Sequence, residues 1–403
     1  MHTGRVRDAF DLDPRRVHLN HGSFGAVPRA VTEAQAAIRA RAEANPMRFF
    51  RVESPGLKEE ARHVAARFLG VGPDEVALVR NVTQSASVVL SGLAAQRRLG
   101  PGDVVVVGEQ GYESVRRTVV HWCERTGATH AVVPHPVDVD DDALVDAFDR
   151  TFAELTDTGL RVALVIVDQI SSPTGSLLPA ERVCALAHEI GALSFVDAAH
   201  APGHVRVEPD DVGADFWTGT WHKWGFAPRG TSALWVIEAE RESTLPLTTS
   251  WNHGQPFPRP FDHHGTDDYS GWFSLAAAVE FWERAGGFDL ARRAVDLLDN
   301  AVKVLTSALP EQDPAVAGPV TPSPCMRLVP LPAGVATTLE DADELYLALS
   351  AHYVEAQVIP YGGQGWIRLS GAAYNEAEDY ERLAEVLPAV LATLHGTGSA
   401  PAT

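Results

Sequence analysis

Short hydrophobic runs that stop at polar or glycine residues recur along the first two thirds of the chain. They are "EVALVR" at 75–80, "DVVVVGEQ" at 103–110, "RVALVIVD" at 161–168, "LSFVDAAHA" at 193–201 and "TSALWVIE" at 231–238. Their hydrophobicity is continuous rather than alternating, which is typical of strands buried on both faces. Helically spaced segments, such as "PAERVCALAHEIGA" at 179–192, lie between them. The pattern predicts an α/β fold around a mostly parallel sheet.

The C-terminal part of the chain has a different pattern. Strand-like "MRLVPL" at 326–331 and "GWIRLSG" at 365–371 alternate with helical "DADELYLALSAHYVEA" at 341–356 and "AEDYERLAEVLPAVLATLHG" at 377–396. This order predicts a smaller α+β domain, and 403 residues are enough for two domains. We predict an N-terminal segment at 1–25, a large domain at 26–275, a small domain at 276–395 and a tail at 396–403.

Charge and cysteine content limit the binding partners and the cellular compartment that we expect for this protein. The formal net charge is −20, which argues against partners that need clustered Lys and Arg, such as nucleic acid and anionic membranes. Cys123, Cys184 and Cys325 lie far apart without a CxxC pair, as in a protein of a reducing compartment. No apolar stretch is long enough to span a membrane. We therefore expect a cytoplasmic protein that acts on a small molecule.

Two candidate sites follow the early hydrophobic runs, where a parallel α/β sheet carries its ligands. Asn81, Val82 and Thr83 come after "EVALVR" and open a predicted helix. Such an N-terminus binds anions through hydroxyls and free N–H groups, although the same residues also serve as an ordinary helix cap. Tyr112 follows "VVVVGEQG" and either stacks on a flat ring or belongs to the core or its rim.

An acid and a lysine complete the set. Asp197 ends a buried run and needs a cation, unless it caps a helix or joins an internal ion pair. Lys223 lies in "TGTWHKWGFAPRG" at 218–230, between Trp221, His222 and Trp224. Desolvation there would lower the pKa of the lysine and make its amine a usable nucleophile. An amine, an acid and an anion site are what pyridoxal 5'-phosphate (PLP) requires.

Six motifs resemble, in sequence and in order, those of a known family. They are "LNHGSFGAVP", "RNVTQSA", "FVDAAHAPGHV", "TGTWHKWGFAPRG", "HHGTDD" and "GWIRLSGAAYN". They are similar to the class V aminotransferase fold group, closest to its isopenicillin N epimerase-like branch, over nearly the whole chain. The resemblance implies the PLP-dependent transferase fold type I. That fold has a large domain with a mostly parallel central sheet and a smaller C-terminal α+β domain.

The resemblance also implies roles for single residues around the cofactor. Lys223 matches the lysine that forms the Schiff base, Asp197 the partner of the pyridine nitrogen, and His200 the residue that bonds the ring 3-oxygen. Tyr112 takes the ring-stacking position. The remaining cofactor contacts would come from Val82, Thr83, Thr220 and His222 and, across a homodimer, from Gly265 and Thr266 of the partner subunit.

On the substrate side, Arg368 matches the arginine that clamps the α-carboxylate of the substrate. Asn20 and Gly22 match residues that line the entrance, so the N-terminal segment would contribute to both the entrance and the small domain. Two positions depart from the family pattern. Gln169 and Tyr112 stand where many relatives have histidine, and tyrosine is not a ready proton shuttle near neutral pH.

The family supports several reactions at the substrate Cα. We favour β-elimination from an S-substituted cysteine, a C–S lyase reaction in specialised metabolism such as antibiotic biosynthesis. Cα epimerisation, which needs a second acid–base group, and decarboxylation with oxidative deamination are the alternatives, and transamination is not excluded. Cysteine desulfurase is disfavoured because "VIPYGGQGW", the loop before Arg368, holds no cysteine.

Three other classes compete with this interpretation. A metal-dependent hydrolase is suggested by the histidines of the 250–272 segment, but no HExxH spacing occurs and we expect no metal. A serine hydrolase is suggested by Ser23, but His21 stands where the nucleophile elbow needs glycine. A catalytically silent binding protein would not need Lys223, Asp197 and Arg368 together.

Overall fold

The computed structural model describes residues 6–310 and 316–397. Its strands are β1 (Val17–His18), β2 (Val76–Val79), β3 (Asp103–Gly108), β4 (Thr129–Val133), β5 (Arg161–Asp168), β6 (Leu193–Ala198), β7 (Phe216–Thr220), β8 (Ser232–Val236), β9 (Met326–Pro330), β10 (Val354–Glu355), β11 (Gln357–Tyr361) and β12 (Gln364–Ser370). The central sheet has seven strands in the order β2-β8-β7-β6-β5-β3-β4. Strands β3 to β7 are parallel to one another, and β8 lies between β2 and β7, antiparallel to both.

Helices cover the sheet and build the rest of the molecule. The longer ones are Arg29–Ala44, Ser54–Leu69, Val82–Ala95, Glu113–Thr126, Asp141–Asp157, Ala180–Glu189, Leu275–Ala285, Asp289–Ala308, Leu339–Ala351 and Ala377–Thr397. Short helical turns are Val6–Ala9, His21–Phe24, Pro46–Arg48, Phe49–Glu53, Pro73–Glu75, Pro209–Val212, Glu238–Arg241, Arg259–Asp262 and Ser270–Phe273. None of the helices in the described ranges is long and apolar enough to cross a bilayer.

The continuous hydrophobic runs become strands that are covered on both faces. Alternate residues of β3 belong to different apolar clusters, with Val104 and Val106 in one and Val105 and Val107 in the other. Burial on both faces is the physical reason that these runs do not alternate. The predicted α/β fold with a mostly parallel central sheet is therefore confirmed.

A second sheet lies in the C-terminal part. Strands β11, β12 and β9 form an antiparallel sheet in that order, packed with its own apolar cluster. Strand β1 pairs in parallel with β10, so residues from the beginning of the chain join this part of the molecule. The boundaries of the four predicted regions stay predictions, and residues 398–403 of the predicted tail lie outside the described residues.

The predicted helix at 341–356 is wrong at its C-terminal end. The helix Leu339–Ala351 stops early because Tyr353 has a φ of 66°, in the left-handed region that a helix cannot continue through. Val354 and Glu355 then pair with β1. Pairing with a partner distant in sequence overrides the local helical pattern there.

Candidate active site

The site begins at the carboxyl ends of three adjacent strands. Asp168 ends β5, and its register partner Asp197 is the penultimate residue of β6. Thr220 ends β7, the next strand of the sheet. The loop that follows β7 carries Lys223 back over these strand ends. A cavity of ≈ 360 Å³ opens above them, lined by Lys223 and other residues of this region.

Lys223 and His200 are in direct contact. The Lys223 Nζ lies 3.0 Å from His200 Nε2. Burial lowers the pKa of Lys223 to about 8, with Asp197 and Asp168 opposing this shift through their charges. Burial also lowers the pKa of His200 far below its ordinary value, so this imidazole is neutral. Part of the Lys223 population therefore has a neutral, nucleophilic amine near physiological pH.

Two carboxylates lie beneath the amine. Asp197 is 3% exposed, and its Oδ1 accepts a hydrogen bond of 3.0 Å from the Ala199 N–H. Its Oδ2 has no hydrogen-bond partner within the described structure. Burial raises the pKa of both Asp197 and Asp168, and the charge of Asp197 raises that of Asp168 further. A buried carboxylate oxygen without a donor is suited to an N–H group from a ligand.

The predicted anion site lies at the rim of the same cavity. Asn81 caps the helix Val82–Ala95 by accepting a hydrogen bond of 2.9 Å from the Gln84 N–H. Val82 and Thr83, in the first turn, line the cavity, and the first N–H groups of a helix attract anions. Thr220 also lines it, although its hydroxyl donates to the Ala199 carbonyl at 2.8 Å.

His222 and Tyr112 line the cavity as well. The Nδ1 atom of His222 is buried without a partner in the described structure, and burial lowers the pKa of this imidazole to about 4. Tyr112 precedes the helix Glu113–Thr126 and is 40% exposed, so its ring is available for stacking. The Gln169 side-chain oxygen accepts a hydrogen bond of 3.2 Å from the indole N–H of Trp217.

Arg368 extends to the site from β12, the middle strand of the three-stranded sheet. Its guanidinium donates to Asn20 Oδ1 at 3.1 Å, to Ser23 Oγ at 3.0 Å and to the Ser172 carbonyl. Gly22, which also lines the cavity, donates its N–H to Ser370 Oγ at 3.2 Å. Arg368 is buried, and burial lowers its pKa to about 10, at which the guanidinium is still charged at neutral pH. This cation has no carboxylate among its hydrogen-bond partners in the described residues.

Gly265 and Thr266 do not line this cavity within the described chain. Gly265 accepts a hydrogen bond of 2.9 Å from the Tyr269 hydroxyl, and the neighbouring Asp267 forms an ion pair with Arg80. No cluster of potential metal ligands occurs among the described residues.

Sequence reasoning missed several residues of the cavity wall. They are Ser23, Phe24, Arg80, Ser172 and Arg229. Arg229 stands in the quoted segment at 218–230 and donates to the Gly25 carbonyl at 2.9 Å. Because Arg229 lies in the same loop segment as Lys223, the sequence could have identified it as a site residue. Ser172 and Phe24 have no sequence feature that distinguishes them.

The residues present fit PLP. The unpartnered Asp197 Oδ2 can accept a hydrogen bond from the protonated pyridine nitrogen. The N–H groups and hydroxyls at the cavity rim can bind a phosphate. Lys223 supplies the amine for covalent attachment, and the exposed ring of Tyr112 supplies a stacking face. The cavity is wide enough for a small ring compound and an amino acid.

Comparison with known proteins identifies the family of this chain. Residues 25–383 match the family model of class V aminotransferases. The chain is 29% identical to the isopenicillin N epimerase of Streptomyces clavuligerus over 94% of this chain and 96% of that protein. It is 30% identical to the putative L-cysteine desulfhydrase 2 of Oryza sativa subsp. japonica, over 96% and 87% of the two chains.

Among solved structures, C-DES with glycine linked covalently to its PLP cofactor superimposes with a TM-score of 0.78 at 19% identity, covering 94% of this chain and 98% of that one. This likeness confirms the predicted fold type I. The cofactor of this enzyme is PLP, as the sequence predicted. The chain belongs to the class V aminotransferase family.

Proposed function

We propose that this enzyme is a C–S lyase that eliminates a thiol from cysteine or an S-substituted cysteine. The observation that carries the proposal is the environment of Lys223, a buried amine with a pKa of about 8 that faces a small cavity. β-Elimination needs one base at Cα. Relatives over nearly the whole chain include proteins named L-cysteine desulfhydrases.

The proposed roles follow the geometry. Arg368 binds the α-carboxylate of the substrate by two parallel hydrogen bonds, exchanging its present contacts with Asn20 and Ser23. Asp197 accepts the pyridine N–H, and Tyr112 stacks on the ring. Val82, Thr83, Thr220 and His222 hold the phosphate. For Thr220 this role requires the hydroxyl to turn away from the Ala199 carbonyl.

The bound cofactor supplies an electron sink for the negative charge that develops at Cα. The Lys223 amine takes the Cα proton, the Cβ–S bond breaks, and the sulfur leaves with its electron pair as a thiolate that is then protonated. Addition of water to the remaining carbon–nitrogen skeleton gives pyruvate and ammonia. Because His200 is neutral, it places no positive charge next to the Lys223 amine.

The cysteines disfavour a desulfurase reaction. Cys123, Cys184 and Cys325 are all buried, and none lines the cavity. Burial raises the pKa of Cys123 to about 11 and that of Cys184 to about 12, and it raises that of Cys325 as well. A persulfide-forming cysteine must instead be an accessible thiolate.

Epimerisation at Cα is the second candidate. The candidate for the second acid–base group is Tyr112, which lines the same cavity, although a phenol is not a ready proton shuttle near neutral pH. The relatives named isopenicillin N epimerase, at 28% and 29% identity, support this alternative. The relatives named isopenicillin N epimerase are also the support for a proposed role in antibiotic or other specialised metabolism.

A homodimer in the cytoplasm is also part of the proposal. Gly265 and Thr266 lie outside the cavity of their own chain, which is the arrangement required if they serve the partner subunit. Trp251 and Phe24 are 87% and 69% exposed, so both apolar side chains are candidates for burial against a second subunit. Mixing inactive Lys223→Ala subunits with inactive Thr266→Asp subunits should restore activity, because each hybrid dimer then holds one intact site. Failure of the mixture, with subunit exchange verified by mass, would contradict the shared site.

The function is tested by adding L-cysteine and S-substituted cysteines to the PLP-loaded enzyme. Release of pyruvate, ammonia and thiol in equal amounts supports the lyase, and Lys223→Ala should release none. Solvent deuterium at Cα with inversion and no thiol release would replace the lyase by an epimerase. Carbon dioxide and an aldehyde would indicate decarboxylation instead.

A further inference from the structure

Trp224 contacts His200 through a hydrogen bond that determines where the imidazole carries its proton. The indole Nε1 of Trp224 lies 3.3 Å from His200 Nδ1. An indole nitrogen can only donate, so Nδ1 must be the acceptor. Because the pKa of His200 is lowered far below its ordinary value, the ring is neutral and has one proton. That proton is on Nε2, the atom that faces Lys223.

The backbone and the ring of His200 are also held from other sides. Cys325 donates its backbone N–H to His204 Nε2 at 2.8 Å, which leaves the proton of that neutral ring on Nδ1. His204 Nδ1–H then donates to the His200 carbonyl at 3.2 Å. The rings of His204 and Trp224 are 4.8 Å apart, and a Cβ at Gly22 would lie 3.4 Å from both the His200 ring and the Trp224 ring. These contacts hold the His200 backbone and keep the Trp224 ring next to the imidazole.

We propose that Trp224 is a positioning residue that locks His200 in its Nε2-protonated form, so that the imidazole always presents an N–H toward the Lys223 amine and the cofactor. An N–H facing the amine requires a lone pair on Lys223, because an ammonium has no acceptor. The lock therefore favours the neutral amine, in the same direction as burial. When PLP is bound, the same N–H is directed at an oxygen acceptor rather than at a donor.

This inference rests on the proposed function only in placing the cofactor next to His200. The proton position itself is a property of the full chain with or without cofactor. It is therefore tested separately from the reaction, and a wrong assignment of substrate leaves it unaffected.

The test is ¹⁵N NMR of histidine-labelled full-length protein, cofactor-free and PLP-loaded, with His200→Gln used to assign the signals. We expect an unprotonated Nδ1 and a protonated Nε2 at His200 in the wild-type protein. Trp224→Phe removes the donor, so a fraction of the Nδ1-protonated form should appear. A protonated Nδ1 in the wild type, or an unchanged ring in Trp224→Phe, overturns the proposal.

Trp221→Phe is the matched control. Trp221 lies in the same loop and is fully buried, but its indole N–H has no partner in the described structure. This variant loses a similar ring volume and no hydrogen bond, so the His200 signals should keep their wild-type pattern. If Trp224→Phe fails to fold, 3-benzothienylalanine at position 224 keeps the ring size and removes only the donor.

A second readout is the pKa of the Lys223 amine in the cofactor-free protein, obtained from the pH dependence of its acylation. In Trp224→Phe the freed Nε2 can accept from an ammonium, so this pKa should rise by about one unit, the effect of a single hydrogen bond. Trp221→Phe should leave it unchanged. An equal rise in both variants would mean that loosened packing, not the hydrogen bond, controls the amine, and would overturn the proposal.

Discussion

Asp168 and Asp197 are register partners in adjacent parallel strands, and both carboxyl groups are buried at the same end of the sheet. Burial raises the pKa of each, and their proximity raises that of Asp168 further because two like charges would otherwise face each other. Lys223 is the cation that opposes both shifts. The strand ends therefore hold a proton-binding pair under the amine.

This pair makes the stability of the cofactor-free protein dependent on pH. A carboxyl whose pKa is raised by folding stabilises the native state below its unfolded pKa of about 4, and this contribution is lost as the pH rises through the folded pKa. Asp168→Asn removes one titrating group and keeps an acceptor oxygen. We expect its free energy of unfolding, relative to wild type, to increase by about 1–2 kcal/mol between pH 5 and pH 8.

Urea unfolding of the cofactor-free proteins at the two pH values measures this difference. Asp149→Asn is the control, because Asp149 is exposed on the helix Asp141–Asp157. Its relative stability should not change with pH. An Asp168→Asn protein whose relative stability is the same at both pH values would contradict the role of the carboxyl pair.

The backbone close to Lys223 depends on a glycine. Gly25 has a φ of 69°, and a Cβ there would collide with the His222 carbonyl oxygen. With a ψ of 154°, Gly25 has a backbone conformation that only glycine adopts readily, so Gly25→Ala should cost about 1–3 kcal/mol for the backbone and about 1–3 kcal/mol more for the collision. It should also weaken PLP binding, because the displaced His222 and Lys223 both line the cavity.

Gly191→Ala separates the two effects. Gly191 has a similar φ of 74°, but a Cβ there meets nothing within 4 Å. Its cost should be limited to the backbone strain, and its PLP affinity should equal that of wild type. Thermal unfolding and titration of the visible cofactor band measure both quantities. Equal effects of the two substitutions would exclude the close approach to His222 as the cause.

The sequence predicted what is encoded locally. The continuous hydrophobic runs identify β2, β3, β5, β6 and β8 because both faces of each strand are covered, and Asp197 lies in one of these runs. Strand β7, which ends at Thr220 just before Lys223, is not among them. The residues that the sequence prediction missed depend on contacts distant in sequence. Ser172 reaches the site only because its carbonyl meets Arg368 from another part of the chain, and Asp168 gains its role from pairing with β6. The bond from Trp224 to His200 depends on how the loop after β7 folds back, which no local pattern encodes.

Arg368 should be needed for its shape as well as its charge. Lysine in its place keeps a cation but loses the planar pair of donors that fits a carboxylate. Loss of one charge-assisted hydrogen bond predicts a decrease of about 10- to 100-fold in kcat/KM for the amino-acid substrate. Steady-state kinetics of Arg368→Lys and of the exposed control Arg382→Lys test this, and only the first should change. Equal kinetics in both would remove Arg368 from the substrate site.

Tyr112 separates the two proposed reactions. Elimination removes one proton from Cα and needs no acid on the opposite side of that carbon. Tyr112→Phe keeps the stacking ring, so its rate of thiol release should stay within about a factor of ten of wild type. Epimerisation needs a group to return a proton from the other side, and loss of a positioned acid typically costs about 100- to 10,000-fold. The measurement is thiol release and Cα deuterium incorporation in the same samples, with Tyr353→Phe, an exposed tyrosine next to strand β10, as control. A large loss of thiol release in Tyr112→Phe alone would mean that the phenol takes part in elimination, and Lys223 would then not be the only acid–base group in the reaction.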